Sequence, residues 1–343
     1  MERKILKWTT WCFSLLTILM CAGLYFMPDI KSGVAFAAEL LPAVLSQETD
    51  IIIDSNQVLS GKKLNIELPE GIEGKDVQIT NDYIGNTVYV RFAKGVDNYS
   101  DNYAIKGSSN HIANLSYYKD GEAGILEINL DKACEHLYSF QGNFLCIEFK
   151  DLHEVYEKVV VIDAGHGGKM PGAVKKKIRE KDLNLDIVLQ LKELLDDVDE
   201  KKIKVFYTRL EDVNPSLAER VEMANKLEAD VFISVHNNAS ASGKFNNENG
   251  TMVLYSPDET DESKRLAEIC LENVNATTGS KRLGLVKADD IYIIRNSEVP
   301  VALIEVGYMT NEKELENLCD PVYQKMVAQG IYNAIMQAFE EGF

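Results

Sequence analysis

Two histidines stand where the second half of this chain could do chemistry. His166 follows the β-branched run Val159-Val160-Val161-Ile162-Asp163, and His236 follows Val231-Phe232-Ile233-Ser234-Val235. The chain holds five histidines, and beyond residue 157 there are only these two. A single histidine at a strand end is most often a satisfied structural residue. Two at neighbouring strand ends, one of them within Gly165-His166-Gly167-Gly168, shift that balance. Glycines let the backbone bend sharply enough to aim an imidazole into a cleft. Zinc in hydrolases is usually held by three protein ligands, with one position left for water. Two imidazoles and a carboxylate fit that scheme, and Glu180, in Arg179-Glu180-Lys181-Asp182, is the first candidate for the carboxylate. An acid at a helix start also has a plainer role, complementing the helix dipole. Asp163 competes as a ligand and is placed second, as a hydrogen-bond partner for a ligating imidazole.

Glu305 is the fourth residue of interest. It interrupts the otherwise apolar run Val301-Ala302-Leu303-Ile304-Glu305-Val306-Gly307. An unpaired carboxylate buried there is expensive. Pairing with a cation such as Arg295 would make it structural, whereas beside a metal it would suit a general base. Cysteine chemistry is not indicated. Cys12 and Cys21 fall in the N-terminal apolar segment, and the chain has no C-x-x-C spacing for a zinc site. Cys134 and Cys146 could bridge two strands, but free, buried, inert thiols are the expected state of Cys134, Cys146, Cys270 and Cys319. A Ser/His/Asp set is not supportable once both histidines are committed to metal.

The elements that must position these groups are of two kinds. From about residue 50 to residue 150, short alternating runs are punctuated by Gly61, Gly85-Asn86, Asp120-Gly121 and Gly142-Asn143. Strands are predicted at Asp50–Ile53, Lys63–Leu68, Thr87–Phe92, Gly124–Leu130 and Phe144–Phe149. Together they imply a small antiparallel β sandwich. Tyr99, Tyr103, Tyr117 and Tyr118 could stack on sugar, although half-buried strand residues are the commoner case. After Asp151 the pattern changes to strand alternating with helix: Lys158–Asp163, a helix carrying Leu183, Ile187 and Leu191, Lys204–Tyr207, Leu217–Leu227, Asp230–Val235, and a last helix over Val322–Phe339. Such alternation predicts an α/β domain with a mostly parallel twisted sheet flanked by helices. The domains read as residues 1–38, 48–151 and 157–343.

The first 38 residues are a cleaved signal peptide or a membrane anchor. Arg3, Lys4 and Lys7 precede an apolar run from Trp8 to Met27, and Ala35-Phe36-Ala37-Ala38 offers a cleavage site that favours the first reading. Either way an exported protein is expected, extracellular or in the cell wall, touching membrane only through this segment. A net charge of −18 argues against nucleic acid, whose phosphates an acidic surface repels. A monomer is expected.

Several separated motifs in the second half, in order, resemble the zinc-dependent N-acetylmuramoyl-L-alanine amidases of the family often called type 3. They are Val161-Ile162-Asp163-Ala164-Gly165-His166-Gly167-Gly168, Glu180-Lys181-Asp182-Leu183-Asn184-Leu185, Thr208-Arg209, Ala224-Asn225, Ala229–Ala239 and Leu303–Asn311. The resemblance places zinc on His166, Glu180 and His236 and the catalytic carboxylate at Glu305. It implies hydrolysis of the amide between N-acetylmuramic acid and L-alanine in peptidoglycan, with Arg295 or Asn238 holding the oxyanion or a substrate carboxylate. A zinc peptidase cutting within the stem peptide, or a non-catalytic wall-binding protein, are the rival readings. The β-rich half resembles wall-targeting sandwich domains by pattern and position alone. Met170 and the basic Lys175-Lys176-Lys177 run depart from the family pattern without touching an expected ligand. Some relatives carry a helical plug after the second histidine motif; here the segment Ser240–Asn249 is short and polar and predicts an open loop.

Overall fold

Alternation with period two builds the first half. The computed structural model describes residues 49–50, 63–107, 109, 111–199, 202–257 and 261–343. The N-terminal apolar segment and the Ile51–Ile53 run therefore lie outside the described residues. The strands of this half are β1 (Thr49–Asp50), β2 (Lys63–Glu67), β3 (Val77–Asp82), β4 (Thr87–Phe92), β5 (Ile105–Gly107), β6 (Ile112–Asp120), β7 (Ala123–Leu130), β8 (Cys134–Gln141) and β9 (Phe144–Asp151). Short helices α1 (Tyr99–Asn102) and α2 (Leu152–Val155) interrupt and end the series. Two antiparallel sheets form, in the orders β1-β6-β7-β4-β3 and β5-β2-β9-β8. Leu64, Ile66, Leu145 and Ile147 of one sheet share a buried core with Val88, Val90, Leu126 and Ile128 of the other.

The tyrosines do not make a sugar platform. Tyr99 is fully buried in α1 and Tyr117 is buried in β6, their rings 4.7 Å apart, with Phe92 and Tyr103 stacked on Tyr99. All four described cysteines are free, as expected, with Cys319 exposed and the others buried.

The second half comprises β10 (Lys158–Ala164), β11 (Val174–Lys175), β12 (Ile178–Arg179), α3 (Glu180–Leu195), β13 (Ile203–Tyr207), α4 (Leu217–Lys226), β14 (Val231–Asn238), β15 (Thr251–Tyr255), α5 (Glu262–Thr278), β16 (Arg282–Lys287), α6 (Tyr292–Arg295), β17 (Val301–Tyr308), α7 (Glu312–Leu318) and α8 (Pro321–Glu340). A six-stranded sheet runs β13-β10-β14-β17-β15-β16. Its first four strands are parallel; β15 turns antiparallel to β17, and β16 runs parallel to β15. The expected mostly parallel sheet is thus present.

Each central strand is apolar on both faces because both faces are covered. Val160, Ile162, Ile233, Val235 and Ile304 pack with α3, α5 and α8. Their neighbours Val159, Val161, Phe232, Val301 and Leu303 pack with α4 and α6. The halves touch: the Tyr83 and Phe206 rings meet edge to face at 5.0 Å, and Lys226 Nζ donates to the Ile84 carbonyl at 2.6 Å. Among the described residues, no helix is long and apolar enough to cross a membrane.

Candidate active site

Side chains on a strand alternate, so Asp163 of β10, Ser234 and His236 of β14 and Glu305 of β17 share the face that Val161, Phe232 and Leu303 present to α4 and α6. They lie toward the carboxyl ends of parallel strands, where open α/β sheets collect functional groups. His236 lies within β14, beyond the run from which its strand was predicted, because pairing with β17 continues to Asn238. His166 stands two residues past β10 with a left-handed φ of 60°.

Glu180, first residue of α3, completes the group. Its Oε1 lies 3.1 Å from His166 Nε2 and 2.9 Å from His236 Nδ1, and the two imidazole rings are 4.9 Å apart. One ligand atom from each residue falls within 4.8 Å of the other two. The β11–β12 hairpin delivers Glu180: its turn residues Lys176 and Lys177 take φ of 46° and 70°, and Glu180 Oε2 accepts the Ala173 N–H at 2.8 Å. Two glycines are needed for closeness. A Cβ on Gly165 would stand 2.2 Å from His236 Nε2, and one on Gly172 would stand 2.4 Å from Glu180 Oε2. Burial pushes the Glu180 carboxyl up, yet the hydrogen bonds to His166 and His236 hold it well below the usual range. Burial opposes charge on His236 too, but Glu180, then Glu305, raise its pKa.

Glu305 stands in register with His236 on one side and Met252 on the other. Its Oε2 is shielded from solvent and has no hydrogen-bond partner. Burial pushes its carboxyl up to about 7, against the pull of His236. Arg295 is not its partner; that side chain is exposed on α6 and lies over the Tyr292 ring. Asn238, at the end of β14, is half-buried, and its Oδ1 accepts the Ala239 N–H at 2.7 Å.

Asp163 also departs from expectation. It contacts no imidazole; it pairs with Arg220 and accepts hydrogen bonds from Thr208 and from Ser234, the latter at 2.7 Å. Burial raises the Asp163 carboxyl, and Arg220 together with the Ser234 and Thr208 hydrogen bonds outweighs this to hold it low. The physical reason is that a buried anion on this strand needs a full charge, which an imidazole shared with Glu180 does not offer.

Arg220 and Arg209 were not given roles from the sequence. Arg220 donates to the Ala164 and His166 carbonyls at 2.9 and 2.7 Å, and Arg209 to the Ala164 and Gly165 carbonyls at 2.7 and 2.9 Å. Asn184 adds a bond to the Gly165 carbonyl at 3.0 Å. These groups hold the turn that carries His166. A signal for Arg220 was present: with Val221 and Ala224 it lies on the apolar stripe of α4, a costly place for an unpaired arginine. A cleft of about 230 Å³ opens onto His166 and His236, walled by Met170, Pro215, Leu217 and Ile293. Of the basic run, Lys176 pairs with Glu312 at 3.1 Å and Lys175 bonds to the Gly243 carbonyl.

A parallel α/β sheet that gathers two imidazoles and two carboxylates at its strand ends has the layout of a hydrolytic domain. The chain belongs to the N-acetylmuramoyl-L-alanine amidase family, whose model matches residues 160–337. It is 31% identical over 199 residues to the germination-specific N-acetylmuramoyl-L-alanine amidase of Bacillus subtilis (strain 168), covering 54% of this chain and 81% of that protein. It is 32% identical over 186 residues to the N-acetylmuramoyl-L-alanine amidase LytC of the same organism, covering 54% of this chain and 36% of that one. The crystal structure of an N-acetylmuramoyl-L-alanine amidase from Clostridium difficile 630 superposes with a TM-score of 0.51 at 31% identity, over 54% of this chain and 98% of that chain.

Proposed function

We propose that this amidase cleaves the bond between N-acetylmuramic acid and L-alanine in peptidoglycan with a zinc ion held by His166, Glu180 and His236 and with Glu305 as general base. Family membership supplies the amidase activity. The donor set supports the metal: two imidazole nitrogens converge on one carboxylate oxygen at hydrogen-bond distance, and this N, N, O combination suits zinc. Zinc bound there would polarise the scissile carbonyl and lower the pKa of the attacking water toward about 7.

Glu305 then takes the water's proton and returns it to the leaving amine. The observation that carries this role is its unpartnered, solvent-shielded Oε2 beside His236. A structural carboxylate so placed would pair with a lysine or arginine, and among the described residues none pairs with Glu305. Met170, Pro215 and Leu217 wall the cleft beside the two histidines. Asn238, two residues beyond His236 on β14, and Arg295 remain the candidates for gripping the substrate's polar groups. The β-rich half, residues 48–151, is read as a wall-targeting sandwich and the segment before it, 1–38, as an export signal or anchor. A location in the cell wall, as a monomer, is part of the same reading, and a relative named as a probable cell wall amidase supports the location alone.

The test is Glu305→Gln with zinc content, melting temperature and amide cleavage read together. Zinc and fold should persist while turnover falls by roughly 10²–10⁴-fold. His166→Ala should instead lose the metal with the activity. A Glu305→Gln protein that cleaves at near-normal rate per folded molecule would remove Glu305 from the reaction.

A further inference from the structure

The β-rich half gathers a second donor set, independent of the amidase site. His111 immediately precedes β6, Cys134 opens β8, and Asp151 closes β9. An imidazole nitrogen, the thiol sulfur and a carboxylate oxygen from these three lie within 4.8 Å of one another. Cys134 is fully buried and faces Asp151 directly across the β8–β9 ladder.

The imidazole is already oriented. His111 Nδ1 lies 3.2 Å from Asp131 Oδ1, and the Asp131 N–H donates to the His111 carbonyl at 2.8 Å. The other ring nitrogen of His111, Nε2, lies 3.5 Å from Asp151 Oδ1. With Nδ1–H donated to Asp131, Nε2 would have its lone pair free for a cation beside Asp151 Oδ1 and the thiol. Asp151 Oδ1 is shielded from solvent and makes no well-directed hydrogen bond; the Lys132 ammonium lies 2.7 Å from it as an ion pair. A pocket of lone pairs that has drawn in the nearest ammonium is built for a cation.

We propose that His111, Cys134 and Asp151 bind a zinc-class transition-metal ion, with Asp131 as the carboxylate that orients His111. Thiolate plus imidazole selects such a metal over calcium or magnesium, and a ligating histidine commonly donates its other N–H to a carboxylate. Binding replaces the S–H bond of Cys134 by a sulfur–metal bond, with the proton released to solvent. Lys132, itself 39% exposed, moves out into water as the metal takes its place. The ion would tie the starts of β6 and β8 to the end of β9, where α2 leads into the second half.

Cobalt(II) loading of the metal-stripped full chain tests this, because a thiolate ligand gives cobalt a near-ultraviolet charge-transfer band that His and Glu ligands do not. The wild type should take up about two cobalt ions per chain, one for each site of three protein ligands, and show the band. Cys134→Ser should lose the band and one equivalent while cleaving peptidoglycan normally. His111→Gln, on a less buried residue, should lose the same equivalent should the serine variant fail to fold. His166→Ala should keep the band and lose the other equivalent, so failure of this site and failure of the amidase assignment are distinguishable. A folded wild type with one equivalent and no band would overturn the proposal and leave His111 in an ion-pair cluster only. A band that survives Cys134→Ser would overturn it as well.

Discussion

Arg220 shows what a single residue does for the site without touching a reacting atom. Its guanidinium neutralises buried Asp163 and grips two carbonyls of the turn that carries His166, whose left-handed backbone would otherwise be free to relax. A lysine at this position keeps the charge but cannot reach all three partners at once. Arg220→Lys is therefore expected to fold, to hold the zinc proposed at His166 roughly 10–100-fold more weakly, and to regain activity at high zinc. Metal titration followed by activity checks this; unchanged metal affinity would confine Arg220 to fold stability. His166 and His236 stood out in the sequence because each follows an apolar strand run, and Glu305 because it interrupts one. Asp163 looked like a partner for histidine, since sequence order shows that it is buried but not which helix supplies its counter-charge.

At the scale of elements, the segment after β10 and the approach to α4 wall the cleft, and the loop after β14 stays off it. The loop from Ala239 to Gly250 contains no helix among its residues and bonds back to Thr310 through the Ser240 and Asn246 N–H groups. It leaves His166 and His236 facing the cleft. The purified chain should therefore cleave peptidoglycan with no added protein. Dye release from labelled walls checks this, and activity that appears only with a partner would overturn it. The α/β elements were readable because both sheet faces are covered, which writes continuous apolar strands between helices of period 3.6. The edge strand β8 was missed. Leu137, Tyr138 and Phe140 are exposed along it, so it carries no alternation to read. Helix α5 was also passed over, although Leu266, Ile269, Cys270 and Val274 carry the helical period.

Across the whole molecule the two halves meet around one buried carboxylate. Glu135, at the start of β8, accepts hydrogen bonds from Tyr83 at 2.7 Å and from Tyr156, which lies in the link between α2 and β10. The His136 N–H adds a third at 2.9 Å. Burial alone would raise the Glu135 carboxyl, but the bonds from His136, Tyr156 and Tyr83 outweigh it and bring the pKa down to about 2 from an ordinary 4.5. The sign follows from the direction. A carboxyl that ionises more readily in the folded state contributes its full stability above the unfolded pKa, and that contribution fades as acid approaches the folded one. The window therefore lies between pH 4.5 and about 2. Within it the wild type should lose roughly 1–3 kcal/mol from this group, after allowance for solvent screening. Glu135→Gln keeps the shape and removes the charge, so it should be less stable than wild type at neutral pH, with the gap closing toward pH 2. Melting temperatures of both proteins across that range measure the effect. A gap independent of pH would mean that the Tyr83 and Tyr156 bonds, and not the charge, hold the halves together.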